Sequence, residues 1–228
     1  MVMEALTLAT TSYHDNDISK YSDDPSYFQT ESSYKTSSIL EIFEKVRADE
    51  AFTNDSSMTP GEHNLKTIFR DHEAALLNHC NAWTISSDPL AHFRESQVAA
   101  AALFVGTENK CDPNLLRPLA MSNAILVILP FVPGKFHVGL VRQWWLTTLA
   151  IYIAQLHPEI NNTDSITSYD IQGKDWSWIA KQVVHGPHVG SSVFVEGLHA
   201  LREIGRTWND SGDYYLKAAV KFADEFQR

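Results

Sequence analysis

The segment Arg142–Ile160, RQWWLTTLAIYIAQLHPEI, constrains this chain more than any other, because almost nothing polar follows its two tryptophans before Gln155. A second apolar run, LAMSNAILVILPFV (Leu119–Val132), lies just upstream across PGKFH. Such a pair must either enter lipid or be enclosed by protein. A membrane-spanning helix needs about 20 mostly apolar residues. Leu119–Val132 falls short of that and carries Asn123 and Pro130. Val138–Leu156 is nearly long enough but holds Arg142 and Gln143, and a charged residue near mid-bilayer costs about 2.5–3.5 kcal/mol. The mean hydropathy of -0.22 also fits a chain outside the membrane. We therefore expect core helices, with Trp144, Leu146, Leu149, Ile151 and Ile153 packed nearly all round. Arg142, Trp145 and Tyr152 supply polar handles that can point into a cavity.

Hydrophobic residues make up 44% of the 228 positions, enough for one substantial core. A net charge of -10, without a basic cluster longer than a dipeptide, excludes a protein that binds nucleic acid through its phosphates. Two cysteines, Cys80 and Cys111, form neither a disulfide framework nor a zinc motif. The N-terminus has no basic n-region and no sustained apolar stretch, so a cytoplasmic location is expected. The glycosylation-type triplets at Asn54, Asn161 and Asn209 are then chance matches.

Residues 1–37 are rich in Ser, Thr, Tyr, Asp and Asn with little aliphatic content, and read as a disordered or loosely attached leader. Order is expected from residue 38 to residue 228, as a single irregular all-α bundle of about six to eight helices. Ser37 or Ser38 caps the first helix, and residues 62–83 carry an apolar stripe. Pro89 opens a helix that Gly106 ends. Asp175 caps another, and Ser211 or Asp213 caps the last. No alternating strand series is present.

Familiar catalytic signatures are missing: there is no GxGxxG, P-loop or GxSxG, and no flavin motif. His72 and His79 lie two helical turns apart, beside Glu73, but such a pair is more often part of a helix face than a metal site, and no metal is expected. The most suggestive polar cluster is HGPH, His185–His188. Two imidazoles at a helix–turn–helix junction can serve as acid and base. A cap-and-turn role accounts for the same spacing.

Several segments taken in order resemble the questin oxidase-like family of fungal and bacterial proteins, which includes the Baeyer–Villiger-type oxidase of aflatoxin biosynthesis. They are SSILEIFEKVRADEAF, NAWTI, FHVGLVRQWWLTTLAIYIAQLHPEI, DWSWIAKQVVHGPHVGSSVFVEGLHAL and DYYLKAAVKFADEF, covering residues from about 38 onward. The resemblance implies an oxidoreductase of secondary metabolism that uses oxygen and NADPH to open a ring of an aromatic polyketide. His185 and His188 are then the candidate catalytic residues, and Arg142, Trp145 and Tyr152 the candidate substrate-binding residues. The chain departs from the family pattern in three places. A polar leader stands where the family has a long histidine-containing N-terminal half, Arg117 or Pro118 replaces a histidine, and Ser191 replaces a lysine. A partial copy would expose an apolar patch and oligomerise through it. Two alternatives follow: an inactive, truncated homologue that binds a ligand or partner, and a membrane-associated helical hairpin.

Overall fold

The computed structural model describes residues 20–21, 24–52, 59–85, 89–107, 112–160, 164–210 and 212–226. Cys111, Ser211, residues 1–19 and the triplets at Asn54 and Asn161 lie outside them. The described residues form one helical body without a named strand: α1 (Ile39–Arg47), α2 (His63–Asp71), α3 (Glu73–Ala82), α4 (Pro89–Val105), α5 (Pro113–Ile128), α6 (His137–Ala154), α7 (Asp164–Thr167), α8 (Trp176–His185), α9 (Ser192–Thr207) and α10 (Tyr214–Glu225).

The local signals account for most helix ends. Ser38 caps α1, its Oγ accepting from Glu41 N. Asp175 caps α8 in the same way, accepting from Trp178 N at 2.9 Å. Asp112 caps α5, and Pro89 stands in the first turn of α4, where a missing N–H costs nothing. Asp213 precedes α10 with φ 55° and makes no cap bond through its side chain. Asp210 replaces it, accepting from Tyr215 N at 2.7 Å. The stripe at 62–83 is divided: His72 (φ -122°, ψ 17°) leaves helical geometry. The break lets α2 face α6 while α3 faces both α6 and α1.

Helix α6 is the hub, packed against α2, α3, α4 and α5. Its eleven buried residues run from Val141 to Ala154 and leave no polar face over the last three turns. A helix apolar all round is stable only when surrounded. The C-terminal end of α6 is closed by α2, since Gly61 N and Asn64 Nδ2 both donate to Ala154 O. Beyond it, α5 also packs on α4 and α9, and α9 packs on α8 and α10. One stretch, Pro113–Phe131, has the length and composition to cross a membrane. Its Leu115, Leu116, Leu119 and Ile125 are buried against neighbouring helices. Apolar exposure gathers at its C-terminal end, at Val127, Ile128 and Phe131 (84% exposed), and at Phe136 just beyond.

The leader, residues 1–37, is described only in part. Its described part, residues 24–37 with Lys20 and Tyr21, is laced onto α3. Lys20 Nζ and Tyr21 Oη both donate to Glu73, and Tyr21 is buried against Tyr27 and Phe69. Asn81 Nδ2 donates to Tyr27 O, Ser33 N donates to Asn78, and Lys35 Nζ donates to Asn81 O. Thr36 then bridges to Trp83 through Thr36 N→Ala82 O and Thr84 N→Thr36 O. Aliphatic content underrates such a strap, which is held by buried tyrosine and by amide and carboxylate side chains.

His79, 4% exposed, is the strap's central tie. Its Nε2 lies 2.8 Å from Asp49 Oδ2 and its Nδ1 2.7 Å from Tyr34 Oη. A carboxylate can only accept, so Nε2 carries a proton and donates it to Asp49. Burial alone would raise the Asp49 carboxyl. The hydrogen bonds from Ala51 N and His79 outweigh it and hold the group below the usual carboxylate range. A folded-state pKa below the unfolded value stabilises at higher pH and is lost as pH falls through it. Asp49→Asn is therefore expected to melt below wild type at neutral pH, with the gap closing as pH drops below about 4. A gap that persists in acid would contradict the tie.

Gly197 in α9 lets that helix approach α4 and α10. A Cβ there would lie 2.8 Å from the Phe104 ring and 3.1 Å from the Phe222 ring, and both rings are buried. Gly197→Ala is expected to cost about 1–3 kcal/mol in urea unfolding.

Candidate functional site

Where the strap, α4 and α10 meet they leave a cleft of about 550 Å³. One wall is Ser37, Ser38, Ile39 and Leu40, at the strap's end and the start of α1, with Trp83 beside them. The second is the α4 face that carries His92, Arg94, Glu95, Ser96, Val98 and Ala99. Thr167, Asp210, Tyr214 and Tyr215 complete it. The strap therefore contributes a wall as well as packing.

Secondary structure fixes each side chain in the lining. Trp83 is 1% exposed and donates from Nε1 to Ser37 O at 3.3 Å, joining the end of α3 to the strap. Arg94 is exposed, with its guanidinium carbon 5.9 Å from the centre of the Trp208 ring. Behind the α4 wall, Trp208 Nε1 donates to Gln97 Oε1, Gln97 Nε2 to Ser122 Oγ, and Ser122 Oγ to Leu119 O. This buried chain ties α9, α4 and α5 together. Tyr214 Oη donates to Val98 O at 3.2 Å. Tyr215 Oη is buried and has no hydrogen-bond partner among the described residues. Burial raises both phenols well above the ordinary tyrosine range, and Asp210 adds to the effect.

None of the residues singled out from sequence lines this cleft. Trp145 and Tyr152 are 0% exposed. The Trp145 indole donates to Cys80 O and the Tyr152 hydroxyl to Phe43 O, so their polar tips tie α6 to α3 and α1 rather than facing a ligand. Arg142 is partly buried beside Cys80, and its Nη1 is enclosed without a hydrogen-bond partner among the described residues. Burial lowers its guanidinium from the usual range, with the Cys80 thiol acting in the opposite direction. His185 ends α8 exposed to solvent, whereas His188 is half-buried against Phe194 and Phe226. The two imidazoles thus have different surroundings. Their junction works as a turn: His188 O accepts from Ser191 N, and Ser191 caps α9. No group of three or more metal-ligating side chains occurs among the described residues.

The lining residues escape sequence reasoning because they come from segments around 37–40, 83, 92–99, 167 and 210–215. Only the paired tyrosines after Asp210 offer a local cue. The family model described as questin oxidase-like matches residues 1–192. The chain belongs to that family. Membership suggests an oxidoreductase of secondary metabolism. No curated protein sequence matches the chain. The match begins at residue 1, so this questin oxidase-like protein carries family character in its strap as well as in its helices.

Burial pushes the Cys80 thiol up to about 12, which keeps it protonated and unreactive in the folded protein. In a Cys111→Ser background, Cys80 is expected to react with a thiol reagent only at the rate of unfolding. Rapid labelling of the folded protein would contradict its position.

Proposed function

We propose that this questin oxidase-like protein is an oxygen-dependent oxidoreductase that opens a ring of an aromatic polyketide by Baeyer–Villiger-type oxygen insertion. The polyketide lies in the cleft between the strap, α4 and α10. The observation that carries this reading is the cleft itself. Its volume of about 550 Å³ suits a ligand of three fused rings, within the roughly 300–1,000 Å³ usual for small-molecule sites. Trp83, Tyr214 and Tyr215 offer aromatic surface, and His92, Arg94, Glu95 and Asp210 are among the polar residues around them. Such a lining binds a flat ring system through its aromatic surface and orients it through its polar groups.

Oxygen insertion places one atom of O2 beside the ketone carbon and leaves the other as water, with two electrons from a reductant. The family resemblance makes that reductant NADPH. The cleft residues do not fit it. A dinucleotide brings a pyrophosphate and a 2′-phosphate, but Arg94 is the single arginine or lysine in the lining, and Glu95 and Asp210 oppose it. The chemistry assigned to this chain's residues is therefore binding and orientation of the polyketide.

Titration with an anthraquinone is expected to show saturable one-to-one binding by calorimetry. Leu40→Trp fills part of the cleft from its half-buried wall and is expected to weaken binding at least about tenfold with little change in melting temperature. Wild-type affinity in that variant would remove the cleft as the site. NADPH and oxygen consumption should accompany binding in the wild type. Binding without either would favour a non-catalytic ligand-binding module.

A further inference from the structure

Tyr215 is 3% exposed, and of the residues with a buried side-chain atom that lacks a partner among the described residues, it is the one that lines the cleft. A buried hydroxyl with no partner is a cost that folded proteins seldom leave in place without a use. The neighbouring Tyr214 has its partner in Val98 O. Tyr215 cannot swing away to find water. Its backbone N–H is held by Asp210, and its ring stands at 88° to that of Tyr214. Its Cβ abuts Gly205, where even a methyl group would approach it to 3.1 Å.

The surroundings decide what the hydroxyl does. Burial first, then Tyr214 and Asp210, push the phenol far above its ordinary range, and Arg94 opposes them. The group therefore stays protonated near neutrality and is a donor rather than a base. The charged residues that act on it, Asp210 and Arg94, are part of the cleft lining, as is Tyr215 itself. An anionic ligand oxygen would meet repulsion from Asp210 and Glu95, whereas a neutral carbonyl oxygen would not.

We propose that Tyr215 is a binding residue whose phenol donates a hydrogen bond to a ketone oxygen on the flat aromatic ligand of the cleft. The inference rests on the reading of the cleft as the polyketide site. It makes the selected class a neutral aromatic ketone and distinguishes it from a bare hydrocarbon of the same shape.

The test compares anthraquinone with anthracene on wild type, Tyr215→Phe and Tyr214→Phe. Wild type is expected to prefer the ketone. Tyr215→Phe should lose about tenfold of that preference, as a buried hydrogen bond would give, while its affinity for anthracene is unchanged. It should also melt no lower than wild type, since it gives up no bond to protein. Tyr214→Phe loses its bond to Val98 and should still keep the preference. If both ligands bind and Tyr215→Phe discriminates as well as wild type, the assignment of Tyr215 falls and the cleft stands. If neither ligand binds wild type, the cleft reading falls and takes this inference with it.

Discussion

One helix must be enclosed on every side, and the rest of the protein is arranged to do it. Helix α6 has no polar face over its last three turns, so α2, α3, α4 and α5 surround it. Enclosure also traps two indole N–H groups and a phenol, and each must find an acceptor. Trp144 donates to Pro118 O in α5, Trp145 to Cys80 O in α3, and Tyr152 to Phe43 O in α1. Dispersion and burial hold the hub without regard to angle. These three directional bonds reach different neighbours and fix how far each may slide or rotate about it.

The cleft lies beside that hub, with the Trp83 ring of its lining 5.7 Å from that of Trp145, where two kinds of packing meet. On one side are the strap and α1, positioned by α3. On the other are α4 and the start of α10, positioned through Gln97, Trp208 and the close contact at Gly205. Neither side alone makes a concave surface. A binding site at such a seam draws on residues widely separated in sequence while its walls stay rigid.

Much of the fold is legible in the sequence, because caps and apolar periodicity act over a few residues. Ser38, Asp112, Asp175 and Pro89 start helices for reasons that their immediate neighbours supply. The strap is not legible, since its order comes from Glu73, Asn78, His79 and Asn81, 45–54 residues away. The site is less legible still. HGPH concentrates imidazoles locally and lies outside the cleft, while Tyr215 reads as one more apolar residue on a helix face. Periodicity also cannot tell whether the polar tip of a buried tryptophan or tyrosine faces a ligand or a neighbouring carbonyl. For Trp145 and Tyr152 it is the carbonyl.

The strap's end at Ser37 and Ser38 is both a packed element and a wall, which joins two equilibria. Any molecule that grips this wall must tighten the N-terminal segment on α3, and any agent that peels the segment away must loosen the molecule by the same free energy. Affinity for such a molecule would be partly written in residues that never touch it: Glu73, Asn78 and His79 hold the door frame from behind.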